Sequence, residues 1–286
     1  MKKIVVLAKQ VPDTANVTGD AMKPDGTVNR AALPAIFNPE DLNALEMGLT
    51  ISERLGMEVH VVTMGPPKAV EILKHARYMG AHHVWLVTDR RFAAADTLAT
   101  SKVLAKVIEK LGDVHLVLAG RQAIDGDTAQ VGPQVAEKLD FNQVTYVTGL
   151  LEVDENTLTV ERDGETRTEL IRTGFPVLLT VTGSANEPRY PNALNMLKGF
   201  RSVAAIDLPE PEREAAVAEG KAIPVLSLDD LNLPEAECGL HGSPTKVHKI
   251  KSITLTGTDL QLFNPEKTGI QELVRNIMKD YVEVDR

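Results

Sequence analysis

The chain has 286 residues, 43% of them apolar and 25% charged, with a formal net charge of −9 and one cysteine. That composition suits a globular chain with a large core, and its acidic balance argues against a nucleic-acid or anionic-membrane surface. Cys238 excludes an intrachain disulfide, and with His241 it makes only two zinc ligands; with no signal-peptide pattern and no run of about 20 apolar residues, a cytoplasmic protein without a membrane span is expected.

Residues 3–8, KIVVLA, have the pattern of a strand buried on both faces, left by a turn at 9–13. A chain that opens in a central strand places the C-terminal end of that strand near a ligand crevice. Residues 14–37 hold no long periodic run and carry a hairpin signal at Pro24-Asp25-Gly26. Asn38-Pro39-Glu40-Asp41 then starts a helix: Asn38 as cap, Pro39 at the first position, acids in the first turn, and Leu42, Leu45, Leu49 and Leu55 leading up to Gly56. Strand 58–63, helix 67–79, strand 83–88, helix 95–111 and strand 116–119 follow in regular alternation. This predicts an α/β fold with a doubly wound parallel sheet.

The stretch 116–139 joins a buried strand, a polar turn and a helix start, which aims unpaired backbone N–H groups and the positive end of a helix dipole at an anion. Gly120 ends the strand, Thr128 and Gln130 offer side-chain donors, and 129–139 places Val131, Val135, Ala136 and Leu139 on one helical face. Asp125 and Asp127 would repel a phosphate unless neutralised; Asp127 and Gln130 have the spacing of a capping box. Pro133 fits a helix starting near 132 better than one starting at 129, and the register stays open. There is no P-loop and no G-x-G-x-x-G, so an ordinary strand–loop–helix connection is the alternative. Met64-Gly65-Pro66 and Thr88-Asp89-Arg90 lie just past strand ends, where such sheets bind ligands. Asp96, Thr97 and Thr100 open the next helix, as ligand-facing residues or as plain capping and surface positions. His60, His82 and His83 read as structural.

After residues 143–148 the pattern alternates at 151–153, 157–161 and 166–170, separated by Glu155-Asn156 and Asp163-Gly164, which predicts an antiparallel hairpin addition. Residues 175–181 return to a buried strand. A polar loop at 186–194 follows, with Tyr190 and Leu194 near its tip. Beyond Asp207 the Pro/Glu-rich segments 209–212 and 233–235 read as an extended C-terminal arm, ending in an amphipathic helix at 270–282. The expected domains are 1–205, a nucleotide-binding α/β unit, and 206–286, the arm. No catalytic set and no metal cluster can be read.

The motifs MKKIVVLAKQVPDT, FNPEDLNALE, VVTMGPPKAVEILKHARYMGA, AGRQAIDGDTAQVGP and NEPRYPNALNMLKG, in that order, resemble the beta subunit of an electron-transfer flavoprotein. The resemblance implies a Rossmann-like domain whose arm wraps an alpha subunit carrying its own FAD. Ordinary members hold AMP in the beta site; the electron-bifurcating, FixA-type members hold a second FAD that receives hydride from NADH. Residues 125–133 and 88–100 resemble the bifurcating group. Gly126 stands where ordinary members tend to have bulkier or more acidic residues, and it would let a pyrophosphate approach the backbone.

Carried over by position, the cofactor contacts are Ala8, Asn38, Asp41, Met64, Asp96, Thr97, Thr100, Gly120, Arg121, Gln122, Gly126, Asp127, Thr128, Ala129, Gln130 and Val131. Arg90 or Arg91 is expected to pair with NADH phosphates. Tyr190, Ala193 and Leu194 fall in the family's recognition loop, which presents an exposed leucine to an acyl-CoA dehydrogenase. The implied partners are the alpha subunit, a ferredoxin or flavodoxin, and an acyl-CoA dehydrogenase or quinone-linked oxidoreductase. The flavin carries the chemistry, so no catalytic acid or base is expected of the chain. The alternatives are an ordinary AMP-holding carrier and a stand-alone adenine-nucleotide-binding signalling protein.

Overall fold

Strand β1 (Lys3–Leu7) is apolar on both faces: Ile4 and Val6 join one hydrophobic layer, Val5 and Leu7 the other. Such a strand must be covered twice, and crossover helices do it. In the computed structural model, residues 1–13, 33–199, 201–246 and 262–282 are described. The hairpin signal at 24–26 lies outside them.

The N-terminal strands are β1, β2 (Gln10–Pro12), β3 (Ala35–Phe37), β4 (Glu58–Met64), β5 (His83–Val87) and β6 (Val114–Gly120). The next are β7 (Asn142–Val153), β8 (Thr157–Asp163), β9 (Thr168–Gly174) and β10 (Val177–Val181), followed by the short β11 (Val203–Ala204), β12 (Ala222–Ile223) and β13 (Val225–Leu226). Helices α1 (Pro39–Leu55) and α2 (Val70–Met79) contribute to the layer around Ile4, and α3 (Thr97–Leu111) and α4 (Val131–Leu139) to the layer around Val5.

The main sheet has nine strands in the order β13-β5-β4-β1-β6-β10-β7-β8-β9. Pairings are parallel from β13 to β7 and antiparallel from β7 through β9. The chain winds outward from β1 through β4 to β5, then returns through α3 to β6 on the far side of β1. Strand order therefore reverses between β1 and β6, and the crevice of a doubly wound sheet opens beyond their C-terminal ends.

Five local readings change. Residues 10–12, expected in a turn, form an antiparallel pair with Ala35–Phe37, a partner too far along the chain for local pattern to reveal. The segments 143–148 and 151–153 are one strand, kept continuous by irregular register against β8. The loop at 186–194 runs into a helix, α5 (Ala193–Gly199). Residues 209–212, expected to be extended, begin helix α6 (Glu210–Ala218), because Pro209 caps it and Pro211 stands in its first turn, where no N–H is needed. The last helix, α7 (Lys267–Val282), starts three residues before the expected 270. Among the described residues, no helix is long and apolar enough to cross a membrane.

Candidate functional site

The N-terminus of α1 is bolted to the ends of β1 and β6. Asp41 Oδ2 accepts the Lys9 N–H at 2.8 Å and Oδ1 accepts the Gly120 N–H at 3.0 Å, so one buried carboxyl joins both strands at the reversal point. Burial pushes this carboxyl up to about 7, against the lowering effect of hydrogen bonds from Lys9, Asn38 and Gly120 and of the Lys9 charge. Asn38 is fully buried and clasps the next loop: its Nδ2 donates to the Gln122 carbonyl at 2.9 Å and its Oδ1 accepts the Ile124 N–H at 3.1 Å. Glu40 accepts the Gln122 N–H at 3.1 Å and pairs with the Arg121 guanidinium at 3.1 Å. Arg121 also lies 5.7 Å from the centroid of the Tyr146 ring. A Cβ on Gly120 would meet the backbone of Glu40 and Asp41, which is why this strand must end in glycine. Asn38, Asp41, Gly120, Arg121 and Gln122 thus form the frame of the crevice, as does buried Ala8, whose N–H donates to the Val62 carbonyl at 2.9 Å. Met64 lies half-buried at the neighbouring strand end.

Beyond this frame the loop is open. Gly126 and Asp127 close a turn on the Ala123 carbonyl, whereas no described residue accepts the N–H groups of Thr128, Ala129, Gln130 or Val131. Ala129 has φ 52° and Gln130 is right-handed helical, so consecutive N–H groups converge as in an anion-binding nest leading into α4. A left-handed alanine is costly backbone, and such strain concentrates at ligand sites. It also settles the helix register: α4 begins at Val131, and Pro133 sits harmlessly in its first turn. The Asp127–Gln130 capping box does not form. Asp127 instead accepts from Gln122 Nε2 at 2.9 Å, and Gln130 Oε1 accepts from Thr97 Oγ1 at 2.8 Å. Asp125 is paired with Lys9 Nζ at 2.7 Å, which offsets its repulsion of an anion. The space in front of Gly126 is open.

The third wall is the loop from β5 to α3. Asp89 caps a 3-10 turn at Arg90–Phe92 and holds Arg91 by a bidentate pair, Nε to Oδ1 at 3.0 Å and Nη2 to Oδ2 at 2.6 Å. The Arg91 guanidinium beside it keeps the Asp89 carboxyl well below the usual range. A second bidentate pair at 3.0 Å ties Arg91 to Asp229, just past β13. Arg91 is thereby committed to protein carboxylates, and Arg90 is the exposed cation of this loop. Asp96 caps α3 through the Ala99 N–H and accepts Thr245 N and Oγ1; burial raises its pKa, but those hydrogen bonds prevail and hold it at about 2. Thr97 also accepts Gln134 Nε2 at 3.3 Å, so α3 touches the nest through Gln130 and Gln134. Thr100 is half-buried one turn further on.

At the opposite end of the sheet, Glu58, His60 and His83 cluster closely enough to hold a cation. Trp85 Nε1 donates into His60 Nδ1 at 3.2 Å, which puts the imidazole proton on Nε2, the atom that would have to ligate. The cluster is better read as a stacked histidine pair, with burial first and the neighbouring His83 second pushing His60 down to about 4.

On a third surface, Arg189 bonds Glu46 and Glu53 and so anchors the 186–192 segment to α1. Tyr190 projects from it with 93% exposure; Ala193 starts α5, and Leu194 and Leu197 stand out at 67% and 80%. Leu197 was not singled out in the sequence, although it follows Leu194 at helical spacing. Lys9, Glu40, Gln134 and Asp229 were also missed as parts of the site; only Glu40, a first-turn acid, carried a local signal.

A family model described as "Electron transfer flavoprotein domain" matches residues 25–223. The chain is 42% identical over 282 residues to the electron transfer flavoprotein subunit beta of Thermoanaerobacterium thermosaccharolyticum, covering 96% of each protein. It is 42% identical over 248 residues to the caffeyl-CoA reductase-Etf complex subunit CarD of Acetobacterium woodii, covering 86% of each. Protein FixA of Rhizobium meliloti is 40% identical over 253 residues, which span 86% of this chain and 80% of that protein.

Proposed function

The chain belongs to the electron transfer flavoprotein family as a beta subunit, and from that premise we propose that its crevice binds FAD and serves NADH-dependent electron bifurcation. The observation that carries this reading is the row of N–H groups from Thr128 to Val131 at the start of α4, which meet no acceptor among the described residues, together with the open space around Gly126. A pyrophosphate fits such a row, because backbone donors and the helix dipole both favour its charge. FAD bound here supplies the hydride acceptor; the chain supplies position. Asp41, Asn38 and Glu40 hold the frame rigid, Lys9 neutralises Asp125, and Arg90 reaches for the NADH phosphates in place of Arg91. The electrons pass to an alpha-subunit FAD and to a ferredoxin or flavodoxin. The likeness to a reductase-complex subunit favours a CoA-ester dehydrogenase as the acceptor beyond the alpha subunit, with a quinone-linked oxidoreductase as the other class, and Tyr190, Leu194 and Leu197 offer it an apolar contact.

The test is the nucleotide content of the chain co-expressed with its alpha subunit, released by denaturation and separated by chromatography. Two FAD per heterodimer without AMP is the expected result. One FAD with one AMP would assign the ordinary carrier role instead, and a colourless homo-oligomer that takes up ATP would reassign the crevice to a stand-alone nucleotide-binding protein.

A further inference from the structure

The arm does more than extend away from the domain. Strand β13 pairs in parallel with β5, so the segment after Pro224 becomes the edge of the main sheet. Leu86 and Thr88, on β5 and just past it, donate to the Pro224 and Leu226 carbonyls, both at 3.0 Å. Ser227 and Asp230 form a capping box that orders the next turn, placing Asp229 against Arg91 and the Leu228 N–H 3.2 Å from Asp89 Oδ2. Further along, a Cβ on Gly239 would collide with the Arg91 carbonyl, so the arm passes directly against this loop. Ser243 Oγ accepts the Asp96 N–H at 2.8 Å, and Thr245 donates twice to Asp96 Oδ2. The loop 89–97 is thus gripped by the arm on both flanks. On its remaining side Thr97 reaches Gln130, inside the row of N–H groups that meet no acceptor among the described residues.

We propose that arm residues Asp229 and Thr245 are positioning residues for the nucleotide crevice: Asp229 holds Arg91 and thereby presents Arg90, and Thr245 holds Asp96 and thereby sets Thr97 against the Gln130 nest. The inference rests on the crevice being the nucleotide site. Two independent contacts converge on one short loop. Exposed ion pairs contribute little to global stability, even when bidentate geometry makes them specific, so removing Asp229 leaves the fold in place while freeing the loop.

The experiment uses the heterodimer carrying Asp229→Ala or Thr245→Val. Amide hydrogen exchange without added nucleotide is expected to accelerate about threefold at 89–97 in both variants, and at 128–131 in Thr245→Val. AMP and FAD affinity is expected to fall about fivefold in Thr245→Val, and the KM for NADH to rise by about the same factor in Asp229→Ala, with heterodimer association unchanged. Faster exchange confined to 225–245, or faster exchange at the loop with unaltered AMP, FAD and NADH binding, would overturn the proposal. If the wild-type heterodimer takes up none of these nucleotides, the site reading fails on its own, and the exchange pattern alone decides whether arm and nest are coupled.

Discussion

Gly120→Ala is expected to destabilise the protein by about 3 kcal/mol or more, whereas Gly126→Ala, six residues on, leaves stability within about 0.5 kcal/mol of wild type. At 120 the new methyl would lie 2.8 Å from the Glu40 carbonyl carbon and 2.9 Å from the Asp41 nitrogen, and closer still to the Asp41 carboxylate. Backbone cannot swing aside as a side-chain tip can, so α1 must retreat and release the Asp41 bonds to Lys9 and Gly120. At 126 nothing lies within 4 Å of the added carbon. The cost there falls on a ligand approaching the loop. Urea unfolding of the two variants, with nucleotide content measured beside it, separates the roles: Gly120→Ala loses stability and ligand together, and Gly126→Ala loses ligand alone. A destabilised Gly126→Ala would show that this glycine serves the fold.

The second expected result concerns pH. His60 titrates near 4 in the folded chain against an ordinary 6.5, so the unfolded chain binds its proton first and stability rises with pH across that window. Asp41 titrates near 7 when folded against 3.8, so the folded chain holds its proton and stability falls as pH rises from 3.8 to 7. Each slope is at most about 1.4 kcal/mol per pH unit, and they are opposite in sign, so between pH 4 and 6.5 they cancel in the wild type. Asp41→Asn is expected to uncover a stability that climbs from pH 4.5 to 6.5, and His60→Gln one that declines over the same range. Thermal melts of both variants at three pH values make the comparison. Curves parallel to wild type in both would refute the opposition of the two groups.

What could be read in the chain was what repeats locally. Ile4 to Leu7 are apolar without alternation, and the α1 start is spelled out by Asn38, Pro39 and two acids, so a two-sided sheet with a crevice beyond β1 followed directly. The antiparallel addition was likewise legible from alternation and from its turns at 155–156 and 163–164. The frame of the crevice was not, because its bonds span the chain: Asp41 reaches Gly120 79 residues away, and Arg91 meets Asp229 at a separation of 138. Arg90 and Arg91 are indistinguishable in sequence, since what separates them is the carboxylate each meets. Asp127 and Gln130 show the opposite failure. Their spacing matches a capping box, but Ala129 turns left-handed between them and the helix begins too late for it.

The sheet edge closed by β13 has a consequence for how the chain is made. Strand β5 ends at Val87, and the residues that satisfy its outer N–H groups are Pro224 and Leu226. At ribosomal rates of about 5–20 residues per second, the nascent domain waits on the order of ten seconds with β5 as a bare edge, in a chain already rich in parallel strands. Exposed edges of that kind template pairing with other chains. Synthesis of residues 224–226 is therefore the moment at which the domain becomes safe from its neighbours, and a nascent chain that stalls short of it is the form most prone to aggregate.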